Sequence, residues 1–518
     1  MCVEIENLGG TQMKKLLVLA LALSMALSMV PVIAESDTAT EPTATFSIWT
    51  WLGSAEGWGC ETYDQIACFQ EAEAATQTDI VWEIESDTST FDLMMSSGDT
   101  TDGIYYAWNP VRTATYSQAG LIVDIAPYIA ENMPNLNALI ESDPLIKKQL
   151  TSADGGIYFV PWVTADKSLV YGEGFGIRAD WLEKVGMEMP TTTDELYAVL
   201  KAFRDQDVNG NGQNDEIITG YPSQINRLAY AFGTADDWHY AEDGVTVVYG
   251  PMTDNYKEWL KFMNTLYNDG ILDPDYFMND SDIYMSKVQE DRVGLYCDNP
   301  GVFGTMMKDG AANGLDLEYV PMPYIGGQNL SSAARRYVQP YGVAISSSCE
   351  DVGRFLQYLD FFFTEEGNTL LNWGVEGVSY EVVDGVKTYS DEVLNNEIYE
   401  ASTALSQYAH PTFVGVQSGE ADMALLSEEQ RAFKETWAQS DASLAIEPFL
   451  AFTEEETDIN TQKETDLTTA RSSWRDKFIT GERDIETEWD AYLEELRAYG
   501  VEELLAVRQA ASDRYNAK

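Results

Sequence analysis

The chain has 518 residues, of which 86 are Asp or Glu and 31 are Lys or Arg, so the formal net charge is −55. A polyanion of this kind repels nucleic acid, and no cluster of Lys and Arg in the sequence offers a basic binding patch. The hydrophobic content of 45% excludes a disordered acidic chain and predicts a folded protein, and the length suggests roughly two to four domain-sized units or two large lobes.

The first predicted element is a secretory signal at residues 13–34. Two lysines follow Met13, an apolar run extends from Leu16 to Val30, and Val32-Ile33-Ala34 supplies the compact residues that a signal peptidase reads. A transmembrane anchor is the alternative, but the run is short for a membrane span. Glu35 stands where a lipoprotein would carry its cysteine. We therefore expect a secreted, extracytoplasmic protein without a lipid anchor.

Strand and helix patterns alternate along the mature chain, which predicts an α/β fold. A β-α-β start, with strands at Thr45–Leu52 and Ile80–Ile84, implies a largely parallel sheet. The helix Asp194–Phe203 is well marked, because Thr192 and Glu195 can form a capping box at its start. The remaining predicted elements are strands at 292–296 and 342–346 and helices at 91–97, 179–185 and 352–363. From about residue 420 the sequence becomes helical and acidic. It ends with Ile485, Trp489, Leu493 and Leu496 on one face of a helix, which predicts that this helix packs on a lobe.

The sharpest local motif lies at residues 205–216. Oxygen-bearing side chains recur at every second residue, and Gly212 stands where a calcium loop needs its sharp turn. The twelfth position of such a loop is normally a glutamate, but here it is Ile218, and a metal-free Asn-Gly turn is the alternative. We predict one structural Ca²⁺, with these ligands: Asp207, Asn209, Asn211, the Gln213 carbonyl, Asp215 and Glu216.

Aromatic residues suggest the kind of ligand. The chain has 13 Trp and 29 Tyr, and several of the Trp residues stand beside turn formers, where a ring can offer its flat face to a sugar. Core packing is the alternative for any single Trp. Cys60 and Cys68 are spaced to form a local disulfide, although buried thiols are equally compatible with the sequence.

Catalytic motifs are absent from the sequence. No Gly-x-Ser-x-Gly elbow and no phosphate loop occurs, and the only two histidines, His239 and His410, lie far apart. With 86 carboxylates, no pair stands out as acid and base. The sequence therefore nominates no reaction.

Six segments, in a consistent order, resemble the family 1 extracellular solute-binding proteins of carbohydrate ABC importers, in the branch of LplA-type and alginate-binding proteins. Thr101 replaces the proline that is usual in the first segment, and Ser379 stands where histidine is common in the last. The six segments are FDLMMSSGDTTD at 91–102, YSQAGLIVD at 116–124, MPNL at 133–136, IRADWL at 177–182, MPTTTDEL at 189–196 and WGVEGVSY at 373–380.

The resemblance implies a type II periplasmic-binding-protein-like fold, in which two α/β lobes joined by a hinge close around the ligand. Residues 1–34 are excluded as upstream and signal residues. Lobe 1 is expected to comprise 35–175 and 297–350, and lobe 2 to comprise 176–296 and 351–518. The expected crossings between lobes fall near Gly172–Arg178, Tyr296–Pro300 and Ser346–Val352.

The resemblance also implies a non-catalytic, monomeric protein that captures an oligosaccharide or related glycan-derived solute and delivers it to the permease subunits of an ABC transporter. A secreted glycan-active enzyme, a hydrolase or lyase, is the alternative. Arg112 and Arg178 could instead form structural ion pairs, and Glu376 could instead stabilise the glycine-rich turn in which it lies. The ligand-binding candidates are Trp51, Asp102, Trp108 and Arg112 on one side of the cleft, and Arg178, Trp238, Trp373 and Glu376 on the other.

A first prediction concerns export. We expect the exported protein to begin at Glu35 and to carry no lipid, because Val32-Ile33-Ala34 ends a signal peptide and the next residue is not a cysteine. Intact-mass spectrometry of the exported protein measures this directly. A retained hydrophobic segment or a lipidated amino terminus would contradict the prediction.

Overall fold

A computed structural model describes residues 42–51, 60–85, 87–164, 166, 169, 172–325, 337–439 and 450–517. The predicted signal at 13–34 lies outside these residues. Ala44–Lys518 form one unit. Within the described part of the chain, no helix is both long enough and apolar enough to cross a membrane.

Fourteen strands are described. They are β1 Ala44–Trp51, β2 Thr78–Glu85, β3 Gly103–Ala107, β4 Val160–Val163, β5 Gly174–Arg178, β6 Ile217–Ile218, β7 Trp238–Tyr240, β8 Val247–Tyr249, β9 Val293–Asp298, β10 Tyr319–Pro321, β11 Val338–Ile345, β12 Tyr380–Val383, β13 Val386–Tyr389 and β14 Gly415–Val416.

The described α-helices follow in chain order. They are α1 Ala67–Thr76, α2 Ser89–Ser97, α3 Pro110–Gln118, α4 Ala126–Asn132, α5 Pro134–Ser142, α6 Pro144–Leu150, α7 Ala179–Val185, α8 Thr193–Asp205, α9 Pro222–Ile225, α10 Asp254–Asn268, α11 Ser281–Gln289, α12 Pro300–Ala312, α13 Val352–Phe361, α14 Glu365–Trp373, α15 Asp391–Leu394, α16 Ala401–Leu405, α17 Gly419–Leu425, α18 Glu428–Trp437, α19 Glu454–Thr480, α20 Ile485–Ala498 and α21 Val501–Ala517.

The first lobe is built on a six-stranded sheet in the order β14-β4-β11-β3-β1-β2. Its core contains residues from both faces of the sheet and from the helices that pack on it, including Ile48, Ile104, Val343 and Phe355. Helix α13 packs against α1, α4 and α5 and covers part of this sheet. The first lobe therefore combines residues from the start of the chain with residues beyond 338.

The second lobe is built on a four-stranded sheet in the order β10-β5-β9-β6. Its main core joins the helices α7, α8 and α10 to the carboxyl-terminal helices α19, α20 and α21. Helix α18 closes the other face, where Phe433 and Trp437 pack against Phe303. The acidic carboxyl-terminal helices are thus part of the second lobe.

Local sequence explains the best-defined helices. Thr192 accepts a hydrogen bond from the Glu195 amide, and the Glu195 carboxylate accepts from the Thr192 amide, which confirms the capping box that begins α8. Trp489 and Leu496 of α20 are buried against the second lobe, as the amphipathic pattern predicts. All four described cysteines are buried free thiols, including Cys60 and Cys68.

The first sheet is largely parallel, as predicted, since five of its six strands run in one direction and β11 is the reversed strand. Strand β1 pairs in parallel with β2 and β3, but β11 pairs antiparallel with both β3 and β4. The second sheet also contains two antiparallel pairs. Strand β11 is reversed because it comes back from the second lobe and enters the first sheet from the opposite end.

The predicted lobe boundaries differ from the structure. Strands β9 and β10 both belong to the second sheet, so the chain returns to the first lobe between 321 and 338 and not near Tyr296–Pro300. Helix α13 packs in the first lobe, so no crossing occurs near Ser346–Val352. The chain leaves the first lobe after β14, since α18 packs on β10.

Candidate functional site

A cavity of about 600 Å³ lies between the two lobes. Asn109 and Pro110, at the start of α3, and Pro340 of β11 form the wall on the first lobe. The second lobe supplies the opposite wall, which includes the loop before β7 and the inner faces of α19 and α21. Its residues are Ser223, Asn226, Arg227, Tyr230, Ala235, Asp236, Asp237, Trp238, Glu464, Arg471 and Arg508.

Asp236 anchors the floor of this cavity. Its carboxylate accepts a hydrogen bond from Arg475 Nη1 at 2.6 Å and from the Tyr256 hydroxyl at 2.5 Å. Asn226 Nδ2 donates to the same carboxylate at 3.0 Å, and Arg471 donates to the Asp236 backbone carbonyl. Burial raises the pKa of Tyr256, so this hydroxyl is a permanent donor. The cluster fixes α19 against the loop that precedes β7.

Trp238 lies on the cavity wall but presents little free ring surface. Its indole Nε1 donates to Glu464 Oε1 at 3.1 Å, and its ring packs against Tyr249 at a centroid distance of 4.3 Å. The Arg508 guanidinium lies 4.7 Å from the Trp238 ring centroid. Only 5% of Trp238 is exposed. In this arrangement Trp238 supports Arg508 and Glu464, and it is these two side chains that reach the cavity surface.

Asp237 projects into the cavity. Its Oδ1 accepts a hydrogen bond from the Trp238 amide at 2.8 Å and lies 3.7 Å from Arg471 Nη1, while 64% of its side chain is exposed. Loss of solvation between the walls raises the pKa of Asp237. A carboxylate held in this way can accept hydrogen bonds from sugar hydroxyls.

A second cavity of about 320 Å³ also lies between the lobes. Strand β11 contributes to both cavities, because Gln339 lines the second and Pro340 lines the first. Its lining combines an aromatic ring with amides and hydroxyls: Trp162, Thr164, Asn299, Gln339, Thr412, Gln417 and Gln430.

Three of the predicted ligand residues on the first lobe have structural roles. Asp102 accepts hydrogen bonds from the amide and hydroxyl of Ser47 at 2.8 and 3.0 Å. Trp108 is 1% exposed in the first core. The Arg112 guanidinium lies over the ring of Tyr106, 4.7 Å from its centroid, and donates to a backbone carbonyl. Trp51, 41% exposed at the end of β1, stays a prediction.

Arg178 is a structural ion-pair partner, which was the alternative from sequence. It is 2% exposed, and its guanidinium bonds to Asp180 at 2.7 Å and to Asp291 at 2.5 Å. Glu376 is exposed on the turn after α14, where it forms a β-bridge with Tyr380. Neither residue lines the cavities described above.

Trp373 does not lie at the cavities either. It is 3% exposed in a separate small core, where its ring stacks on Tyr389 at a centroid distance of 4.6 Å. Packing with the β12–β13 hairpin thus buries the ring, and contact between Trp373 and the ligand stays a prediction. Of the eight predicted ligand residues, Trp238 lines the interlobe cavities.

Arg471, Arg508 and Glu464 are among the cavity residues that sequence reasoning missed. They lie on α19 and α21, in the acidic region that was predicted only to pack on a lobe. A usable signal was present, because arginines are scarce in this chain and these occur on the helix faces that carry apolar residues.

The segment predicted to bind calcium forms a tight loop. Asp207, Gly210 and Gly212 have φ values of 47°, 73° and 84°, and Asp207 Oδ2 accepts a hydrogen bond from the Gly212 amide at 2.9 Å. Asn209 Oδ1 and Asn211 Oδ1 likewise accept from amides within the loop. Gln213 is an exposed residue of this loop.

Two oxygens of this loop fit a cation. Asp207 Oδ1 and Glu216 Oε2 are buried and make no hydrogen bond. Burial, together with the nearby Asp215 and Asp207, raises the pKa of Glu216. Asp215 meets the Arg292 guanidinium at 3.1 Å. Within the described residues no three acidic, His or Cys side chains are grouped to hold a metal, so any ion here would need the Asn and backbone oxygens as well.

Comparisons with known proteins agree with this architecture. A family model described as bacterial extracellular solute-binding protein matches residues 64–369. The fructooligosaccharide ABC transporter substrate-binding protein FusA of Streptococcus pneumoniae serotype 4 is 28% identical over 469 residues, which cover 82% of each chain.

Two solved structures show the same fold. The alginate-binding protein AlgQ2, solved without calcium ion, has a TM-score of 0.74 at 20% identity and covers 92% of this chain and 99% of its own. An EF-hand mutant of S. pneumoniae FusA in complex with fructo-nystose has a TM-score of 0.74 at 24% identity, and it covers 91% of this chain and 99% of its own. The fold is therefore the two-lobed, type II periplasmic-binding-protein-like fold.

A stability prediction follows from the position of Trp373. Trp373→Ala should lower the free energy of unfolding by about 3 kcal/mol, because it leaves a cavity beside Tyr389. Denaturant unfolding measures the change. Val382→Ala, at a residue 48% exposed on the adjoining hairpin, is the control and should change it by less than about 0.5 kcal/mol. A Trp373→Ala protein of unchanged stability but lower ligand affinity would contradict this structural role and indicate that Trp373 contacts the ligand.

Proposed function

Because this chain belongs to the family of bacterial extracellular solute-binding proteins, we propose that it is the substrate-binding protein of an ABC transporter for an oligosaccharide or a related glycan-derived solute. The solute binds in the interlobe cleft, which we define as the two cavities between the lobes, and the lobes close around it. The closed, loaded protein then delivers the solute to the permease subunits. It acts outside the cytoplasm as a monomer.

The interlobe cleft is the observation that supports this proposal. Asp237, Arg471 and Arg508 offer hydrogen-bonding groups beside aromatic rings, a combination suited to hydroxyl-rich ligands. The curated relative FusA is a fructooligosaccharide-binding protein of this transporter class. Both histidines of the chain are buried, His239 in the second lobe and His410 in the first, so neither is placed for catalysis in the cleft.

Binding without turnover separates this proposal from a glycan-active enzyme. We expect saturable binding of an oligosaccharide in isothermal titration calorimetry, with the same sugar recovered unchanged by chromatography after long incubation. Shortened or unsaturated products would instead assign the cleft to a hydrolase or lyase.

The role of Trp238 can be tested in the same assay. Trp238→Ala removes the support of Arg508 and the hydrogen bond to Glu464, so we expect affinity for the bound oligosaccharide to fall roughly tenfold to a hundredfold. Trp238→Phe is the matched control. It keeps a ring under Arg508 and should lose less affinity. Unchanged affinity in a folded Trp238→Ala protein would exclude this wall from the binding site.

We further propose that the loop at 207–216 holds one structural Ca²⁺, with Asp207, Asn209, Asn211, the Gln213 carbonyl, Asp215 and Glu216 as ligands. The support is the pair of buried oxygens without hydrogen bonds, Asp207 Oδ1 and Glu216 Oε2. A cation would compensate both and would favour the ionised form of Glu216. The ion would fix the loop between α8 and β6.

Removal of calcium provides the test. Chelation with EDTA should lower the melting temperature of the wild-type protein, because Ca²⁺ at 100 times its Kd adds about 2.7 kcal/mol to the folded state. Readdition of Ca²⁺ should restore the melting temperature. Asp207→Ala should remove this dependence, whereas Asp205→Asn, at an exposed carboxylate just before the loop, should keep it. Equal melting of chelated and untreated wild-type protein would leave the segment as a metal-free turn.

A further inference from the structure

The first cavity of the interlobe cleft is balanced in charge although the whole protein is strongly acidic. The residues described at the first cavity include three arginines and three carboxylates. The formal net charge of the chain is −55, so this wall departs clearly from the average of the molecule. The arrangement of the charges is therefore informative about the ligand.

Each arginine of the first cavity already has an acidic partner. Arg227 forms an ion pair with Glu173. Arg508 Nη2 lies 3.2 Å from Glu464 Oε2. Arg471 lies within 4 Å of both Asp236 and Asp237, at 3.9 and 3.7 Å. An anionic ligand would therefore compete with protein carboxylates for every one of these guanidinium groups.

The charged groups of the second cavity, two carboxylates and one lysine, are also engaged in ion pairs. Lys434 forms an ion pair with Asp422, and Glu400 lies 3.7 Å from Lys308. Four primary amides, from Asn299, Gln339, Gln417 and Gln430, provide most of the remaining polar groups. Amides both donate and accept hydrogen bonds, which matches a hydroxyl and not a carboxylate, because an ionised carboxylate can only accept.

We infer that the interlobe cleft takes an uncharged oligosaccharide and discriminates against uronates, an inference that rests on the proposed function. Asp237 is the main discriminating group. Its exposed carboxylate accepts hydrogen bonds from sugar hydroxyls but repels a ligand carboxylate placed beside it. The acidity of the whole chain adds a long-range field that opposes the approach of anions.

The inference is tested by calorimetric titration with two sets of probes. The neutral set contains kestose, nystose, manno-oligosaccharides and xylo-oligosaccharides, and the anionic set contains alginate and galacturonate oligosaccharides of matched length. We expect a neutral probe to bind at least roughly tenfold more tightly than every uronate. We also expect weak uronate binding to strengthen between about 0.01 M and about 1 M salt, as the Debye length falls from about 30 Å to about 3 Å.

Two variants localise the effect. Asp237→Asn removes the exposed negative charge. It should lower the affinity for the neutral oligosaccharide and reduce the ratio of neutral to uronate affinity by roughly tenfold. Asp466→Asn, at an exposed carboxylate of α19 that does not line the cleft, should leave the preference unchanged. An unchanged preference in a folded Asp237→Asn protein would remove the discriminating role from this residue.

The outcomes distinguish this inference from the proposed function. A uronate that binds more tightly than every neutral probe overturns the inference and leaves a glycan-binding protein. If no glycan of either set binds to protein shown to be folded by circular dichroism, the proposed function fails and the inference fails with it.

Discussion

The ion cluster around Asp236 is the interaction on which the binding wall depends. Asp236 precedes β7, and its carboxylate meets Arg475 of α19 and Tyr256 of α10. The loss of one partner from such a cluster leaves a poorly solvated charge, which typically costs about 3 to 5 kcal/mol in buried pairs. The same contacts place Arg471 and Asp237 at the cavity surface. The binding wall therefore forms only when the carboxyl-terminal helices pack on the loop before β7.

The discontinuous lobes explain how the fold can move. Each sheet is assembled from distant segments, since β11 joins the first lobe after the chain has built most of the second. The chain consequently crosses between the two sheets more than once, and hinge closure in two-lobed folds changes a few backbone torsions at such crossings. The cleft lies at the boundary between the two cores, and residues of both lobes line it.

The calcium loop and the cleft use carboxylates in opposite ways. At the loop, Asp207 and Glu216 keep oxygens without hydrogen bonds, which favours a bound cation. At the cleft, Asp236 and Glu464 are engaged by guanidinium groups of α19 and α21. Among the 86 acidic residues of the chain, these few are thus held in defined environments by the tertiary structure.

The sequence by itself determined the elements that depend on neighbouring residues. The capping box of α8, the amphipathic α20, the curled loop at 207–216 and the α/β class all follow from short-range periodicity and turn chemistry. The tertiary structure decided which faces meet. Trp238 and Trp373 look alike in sequence, both beside turn residues, yet one lines the cleft and the other fills a small core. Glu464 lies 226 residues from its partner Trp238, and no local pattern encodes that contact, because it arises only when α19 packs across the loop before β7.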